Sequence, residues 1–222
     1  FVHSTIDPHL LKLNKQGYLN GHIPFSALLD FISVFIAAFS QHQFVAISDE
    51  RSSDEGNTTY LGHTINHQYS KTLEFETDFQ AYVYQFLSPN ITFFSFLRPL
   101  YELQITRLFC QYPQYFNLFT SCNKNFTIDP KERPQGLWCR TCPKCVSLAL
   151  LLSPWIGKQK VTRIMGGYPP DLPKNQGILK ELLGEKPVKP FECVLTREEA
   201  RLATHFNPHH PLLSSWLDNP NM

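Results

Sequence analysis

Apolar residues run almost unbroken from Ile23 to Phe39 (IPFSALLDFISVFIAAF), interrupted only by Pro24, Ser26, Asp30 and Ser33. That run is shorter than the ~20 residues a bilayer requires and carries a charge, so it predicts a buried helix of a soluble core, with Pro24 in its first turn. Phe44 to Ser48 is a short apolar segment of strand length, followed by a polar loop from Asp49 to Asn66. From Glu74 to Leu87, Phe75, Phe79, Tyr82, Val83 and Phe86 recur at helical spacing, and Pro89 and Asn90 close the element. Ile91 to Leu97 is β-branched and aromatic and predicts a second strand. Pro99 marks its exit, and Tyr101 to Phe109 has the pattern of another amphipathic helix. This alternation predicts an α/β fold with a mostly parallel sheet covered on both faces.

The pattern changes after Ser121. Asn123 to Gly136 is a polar loop, Val146 to Leu152 predicts a helix, Gly166 to Pro170 a turn, and Lys174 to Leu183 a further helix. Thr196-Arg197-Glu198-Glu199 is a capping box, in which the Thr196 hydroxyl and the Glu199 carboxylate satisfy each other's backbone amides. Pro208, Pro211 and Pro220 predict a tail lying over the surface. No repeat of 20–50 residues is present. The organisation expected is a sheet-and-helix part over 1–121, a cysteine module over 122–152 and a helical extension over 153–222.

Composition narrows the class. Of 222 residues 42% are apolar, enough for a core, and the net charge is +1 with 18% charged residues. That balance indicates neither a nucleic-acid partner nor a disordered acidic tail, and it does not bear on oligomeric state. The chain opens Phe1-Val2-His3-Ser4, without initiator Met or a secretory leader pattern, which suggests the C-terminal part of something longer.

Cysteine spacing carries the strongest local signal. Cys139, Cys142 and Cys145 stand at C-x2-C-x2-C, and Cys122 completes C-x16-C-x2-C-x2-C. Disulfides closing such small loops gain little, whereas four thiolates form a closed tetrahedral shell suited to structural Zn2+. An iron–sulfur cluster is the alternative, because C-x2-C-x2-C also occurs among cluster ligands. Cysteines grouped in this way point to a reducing, cytoplasmic setting. Cys110 and Cys193 fall outside the group and read as small buried hydrophobes, with Cys193 singled out by its Pro190-Phe191-Glu192-Cys193 context.

Between Ser48 and Glu76 the chain packs acids, bases, amides and hydroxyls just past a predicted strand, at the edge where open α/β sheets bind ligands. A solvated loop is the plain alternative for Asp49-Glu50-Arg51. Asn66-His67-Gln68-Tyr69-Ser70-Lys71 argues for a site, since such variety suits a polar ligand with carboxylate or phosphate groups.

Asn20 to Pro24, Ser48 to Asn57, Asn66 to Lys71 with Glu74 to Glu76, Trp138 to Cys145 and Lys189 to Cys193 together resemble the ATP-dependent epimerases acting on UDP-N-acetylmuramoyl-L-alanyl-L-glutamate. The likeness extends from about Asn20 to about Arg201. More distantly, the helix-strand-loop order, Arg98-Pro99-Leu100 and the four cysteines resemble 7-cyano-7-deazaguanine synthase and other ATP-pyrophosphatases, and imply the adenine-nucleotide α-hydrolase-like fold of that group. The first resemblance implies use of ATP and Mg2+, release of AMP and pyrophosphate, and inversion of a terminal L-glutamate in a UDP-linked muramoyl dipeptide, a precursor of the cell wall. Adenylation removes the carboxylate charge that otherwise opposes loss of the α-proton. His67 and Lys71 would then exchange the proton, and Arg51 would pair with a substrate carboxylate or phosphate. Glu50 and Asp54 would hold Mg2+ or orient a base, while Asn66, Gln68 and Ser70 would hydrogen-bond the substrate.

One element of the ATP-pyrophosphatases has no counterpart. Their Ser-Gly-Gly-x-Asp-Ser phosphate loop is absent, and Gly166-Gly167 is followed by Tyr168-Pro169-Pro170. The nucleotide-binding half is therefore expected upstream of Phe1. Two readings stand beside the epimerase: another adenylating ATP-pyrophosphatase, and a zinc-stapled binding module without catalysis.

Overall fold

The structure, a computed structural model, describes residues 3, 5–18, 24–128 and 130–205. Two strands, β1 (Phe44–Ile47) and β4 (Thr92–Ser95), pair in parallel with Val45 beside Phe93 and Ile47 beside Ser95. Residues alternate across the pleat, so Val45 and Phe93 share one face and Phe44, Ala46 and Thr92 the other. The first face is packed and the second is not: Phe44, Ala46 and Thr92 are exposed. The expectation of a sheet covered on both faces thus holds on one face among the described residues.

Two helices supply that cover. Helix α2 (Phe25–Phe39) contributes Val34 and Ala37, and helix α3 (Leu73–Tyr82) contributes Phe79, all buried with Val45, Ile91 and Phe93. Phe79 meets Phe93 edge-on at 4.7 Å and Phe31 of α2 at 4.8 Å, a geometry that aligns ring edges with ring faces. The buried core helix expected from the long apolar run is corrected here. Only Asp30, Val34 and Ala37 of α2 are buried, while Phe35 and Phe39 are 63% and 76% exposed. A two-stranded sheet offers one narrow stripe to pack on, so the rest of the apolar circumference is left uncovered by the described residues. Pro24 occupies the N-cap rather than the first turn. Ile23, the Asn20-Gly21-His22 motif residues and the proline-rich tail lie outside the described residues. No described helix is long and apolar enough to cross a membrane.

Helix α3 is capped by Thr72, whose hydroxyl accepts the Phe75 amide at 3.1 Å, and passes into a π-helical turn over Val83–Leu87. Helix α4 (Glu102–Phe109) follows β4, near its expected bounds. The segment expected as loop contains a hairpin, β2 (Thr58–Tyr60) antiparallel to β3 (His63–Ile65). Its turn is Leu61-Gly62, both with positive φ, as the twist of a two-residue hairpin demands. Helix α1 (Pro8–Lys15) precedes all of these and has no counterpart among the expected elements.

The C-terminal half is helical. Helix α5 (Pro143–Ile156) is twice the expected length and spans the anticipated boundary at residue 152. Gly157, with φ of +76°, turns the chain into α6 (Lys158–Met165), which was not anticipated; α7 (Gln176–Leu182) and α8 (Arg197–Thr204) complete the layer. Leu103 of α4, Leu150 and Leu151 of α5, Leu182 of α7 and Ala200 of α8 form one buried cluster. The capping box on α8 is present, with the Thr196 hydroxyl accepting from the Glu199 amide and a Glu199 carboxylate oxygen accepting from the Thr196 amide at 2.9 Å.

Candidate functional site

Two groups of functional side chains lie on this frame. The first is the cysteine knuckle. The sulfurs of Cys122, Cys139, Cys142 and Cys145 all lie within 4.8 Å of one another, and Cys139 Sγ is 3.9 Å from Cys145 Sγ. A tetrahedral ion with metal–sulfur bonds of about 2.3 Å sets its sulfurs roughly 3.8 Å apart, so the four thiols can hold one metal ion. An iron–sulfur core standing between the thiolates would spread them further. Second contacts fit ligand sulfurs: the Cys139 amide donates to Cys122 Sγ at 3.2 Å and the Thr141 amide to Cys139 Sγ at 3.3 Å. The turn needs Arg140 at φ of +62°, and Cys142 is the N-cap of α5, placing thiols at the positive end of a helix. The Arg140 guanidinium donates to the Gly166 carbonyl, and Asn175 Nδ2 donates to the Arg140 carbonyl at 2.8 Å. Gly166-Gly167 therefore serves to pack against the knuckle: a Cβ on Gly167 would lie 3.2 Å from the guanidinium.

The second group is the polar rim beyond the C-terminal ends of β1 and β4. Arg98 is its hub. Arg98 Nε donates to Glu76 Oε2 at 2.8 Å, and its terminal nitrogens donate to the Glu50 carbonyl at 3.0 Å, the Ser53 hydroxyl at 3.2 Å and the Lys71 carbonyl at 3.0 Å. One planar fork thereby fixes the strand exit, the 3-10 turn Arg51–Asp54 and the 3-10 turn Tyr69–Lys71.

Residues 189–193 cross this rim from far along the chain. Lys189 Nζ pairs with Glu55 Oε2 at 2.5 Å, and its amide donates to the Asn57 carbonyl at 2.8 Å. Asn57 is buried and donates to the Pro190 carbonyl at 2.6 Å, while its side-chain oxygen accepts from the His67 amide at 3.0 Å and meets His67 Nδ1 at 2.7 Å. Cys193 lies against Lys71 Nζ at 3.1 Å and donates its S–H to Gln68 Oε1. Glu192 accepts from Asn123, one residue beyond Cys122, so the strap is tied to the cysteine knuckle as well.

Of the residues expected to form a site, Glu50, Asn66, His67 and Gln68 line one cavity of about 20 Å³ together with Cys193. That volume holds roughly one water, so a larger ligand meets these groups at the cavity's mouth. Asn66 is engaged on both sides of its amide, donating to the Ser53 carbonyl at 2.7 Å and accepting from the Gln68 amide at 2.9 Å. Lys71 and Ser70 stand on the adjoining turn. The Arg51 guanidinium lies over the Tyr101 ring at 5.2 Å. Asp54 accepts the Leu73 amide at 2.6 Å at the start of α3 and is 3.8 Å from Arg98. Among the described residues, only the four cysteines gather three or more metal-binding side chains.

Charge on the rim is tightly balanced. Burial alone would lower Lys71, but the Cys193 sulfur, Asp49 and Glu50 outweigh it and raise it above the ordinary lysine value, keeping it an ammonium. Burial raises Glu50, against the pull of its own backbone hydrogen bond and of Lys71. Burial, with Glu50 and Glu199 beside it, raises Glu102 well above the usual carboxylate range, and its Oε2 has no hydrogen-bond partner among the described residues. Asp30 of α2, buried beside the rim, is raised to about 7 by burial and by Asp49 and Glu76. Sequence reasoning did not assign Arg98, Asn57, Glu55 or Lys189 to the site. Arg98 directly before Pro99 at a strand exit, and Lys189 near Cys193, were the available signals.

The fold and sites define a mixed α/β protein in which a tetracysteine knuckle adjoins a polar strand-end site. Profiles of the MurL N-terminal domain and the MurL C-terminal domain match residues 1–96 and 118–220, and the chain belongs to that family. It is 41% identical over 202 residues to a UDP-N-acetyl-alpha-D-muramoyl-L-alanyl-L-glutamate epimerase of Micromonospora sp., covering 89% of this chain and 44% of the relative. Proteins of the same description from Salinispora tropica and Xanthomonas oryzae pv. oryzae are 37% and 39% identical, over 97% and 90% of this chain and 46% and 44% of theirs. The chain thus spans about half the length of the curated relatives it matches. No solved structure matches it.

Proposed function

We propose that this chain carries the proton-transfer part of an ATP-dependent epimerase that converts the terminal L-glutamate of UDP-N-acetylmuramoyl-L-alanyl-L-glutamate to D-glutamate, in the cytoplasm, during synthesis of peptidoglycan precursor. The observation that carries the reading is the convergence of His67, Gln68, Glu50 and the 189–193 strap on one polar cavity, in a chain whose relatives bear that name. ATP converts the glutamyl carboxylate to an acyl adenylate, which lets negative charge develop on the neighbouring oxygen once the α-proton leaves. The epimer forms when a proton returns to the opposite face, so the reaction needs a proton-exchanging group for each face.

His67 serves as one such group, its ring fixed by Asn57 through Nδ1. The Lys71 side of the cavity supplies the other. Arg51, Gln68, Asn66 and Ser70 hold the anionic substrate, and Glu50 with Asp54 neutralises Mg2+ or orients a base. The adenylating machinery belongs to an adenine-nucleotide α-hydrolase-like fold of which this sheet is a part. The cysteine knuckle binds structural Zn2+: four thiols, joined by no fifth metal-binding side chain among the described residues, make a closed shell, and the ion staples the loop from Cys122 to α5.

The test is an assay of the full-length enzyme with ATP, Mg2+ and the L-glutamyl substrate, following AMP release and product stereochemistry. His67→Ala and Lys71→Ala are expected to reduce D-glutamyl product by about 100-fold or more. Full turnover by both variants refutes placing proton exchange at His67 and on the Lys71 side of the cavity, and absence of D-glutamyl product from the unaltered enzyme refutes the function.

A further inference from the structure

Cys193 is not a knuckle ligand and is not packed as a buried hydrophobe. It is half-buried on the wall of the same cavity as His67, 122 residues from Lys71 in the chain yet 3.1 Å from Lys71 Nζ. Gln68 Oε1 accepts its S–H while the Lys71 ammonium donates to its sulfur. Cys193 Sγ thus has an acceptor for its proton on one side and a cation on the other. A cation beside a cysteine stabilises negative charge on sulfur, and the thiolate is the reactive form of that side chain. Lys71 itself, held as an ammonium, has no lone pair with which to take a proton from carbon. The group beside it does.

We propose that Cys193 is the catalytic residue that exchanges the glutamyl α-proton on one face, with Lys71 as the positioning residue that stabilises its sulfur anion. This rests on the epimerase reading above. In the forward direction the Cys193 sulfur anion forms an S–H bond as the Cα–H bond breaks. The electron pair moves into the adjacent acyl carbonyl, giving an enolate whose charge rests on oxygen. Protonated His67 then delivers its proton to the opposite face of Cα. The electron pair returns from the enolate to form the new C–H bond, leaving neutral imidazole. Exchange with solvent returns the Cys193 proton to water and reprotonates His67, so neither oxidant nor reductant is needed.

The proposal is tested in the full-length enzyme, with ATP and the L-glutamyl substrate in D2O. Adenylation is read as pyrophosphate release and the cleavage of the acyl adenylate by water as AMP release, proton exchange as deuterium at the glutamyl α-carbon, and inversion as D-glutamyl product. Cys193→Ser is expected to retain AMP release and to lose deuterium incorporation and D-glutamyl product by about 100-fold or more. In the unaltered enzyme, iodoacetamide should modify Cys193 and abolish exchange in proportion to its modification while AMP release continues, and Lys71→Met should slow that modification. Wild-type D-glutamyl production by Cys193→Ser overturns the proposal and leaves the epimerase reading standing. No exchange in the unaltered enzyme overturns the epimerase reading itself. If the serine variant loses AMP release or does not fold, alkylation decides: stoichiometric modification of Cys193 without loss of exchange overturns the proposal.

Discussion

The knuckle and the rim are built in opposite ways. Three of the four knuckle thiols lie within seven residues, on one turn and the start of α5, and need only Cys122 from elsewhere. The rim collects side chains from the ends of β1 and β4, the hairpin loop and the 189–193 strap, with partners more than 120 residues apart. A local site is specified by spacing alone. A distributed one exists only when the surrounding layers hold their relative positions. The Asn123–Glu192 hydrogen bond joins the two, so the order of the strap depends in part on the knuckle.

The strongest way to break that dependence is Cys142→Ser. With Zn2+ bound as proposed, losing one thiolate would open the shell and give up part of a metal-binding free energy on the order of 10 kcal/mol. Metal analysis should show loss of the bound ion, and thermal unfolding should show a lowered transition for the helical half. Retention of a full metal complement with unchanged melting would mean that the knuckle does not staple this region.

Arg98→Met probes the rim in the same terms. It leaves the buried Glu76 carboxylate without its 2.8 Å partner and frees the carbonyls of Glu50 and Lys71. Breaking such a buried pair costs about 3–5 kcal/mol, measurable by urea unfolding, and should leave metal content unchanged. An equal loss of metal would show that the two regions unfold as one unit, and the contrast between them would fail.

Asp30→Asn gives the smallest and most specific effect. The folded-state value of Asp30, about 7, lies above its ordinary 3.8 because burial, Asp49 and Glu76 disfavour the charge more than Lys71 favours it. The folded state therefore binds the proton more tightly, and the stability this contributes is lost as pH rises from about 4 to about 7. The asparagine variant should flatten that part of the stability curve and melt about 2–4 °C above the parent at pH 8 for each kcal/mol relieved. An unchanged slope would place the strain elsewhere on the rim.

Much of the fold was legible because its signals are short-range. The β1 and β4 segments, α4, the Thr196 capping box and the cysteine spacing follow from alternation, helical period and paired cap groups within a few residues. Helices α1 and α6 were missed, and the hairpin at Leu61-Gly62 was hidden in a polar stretch whose strands are only three residues long. The motif residues Asn66, His67 and Gln68 stood out by chemical variety, and Glu50 by the family resemblance. Their supports did not, because Asn57 and Arg98 are ordinary polar residues until their partners are seen.

The sequence by itself determined the thiol quartet, the strand and helix periods and the polar loop at a strand end, since each depends on the order of neighbouring residues. The tertiary structure alone decided which face of α2 would be buried and that Lys189 to Cys193 would lie across that loop. It also decided that Cys193 would sit against Lys71 rather than within an apolar core. Those outcomes depend on contacts between distant segments, and a one-dimensional pattern carries the chemistry of each partner without the geometry that joins them.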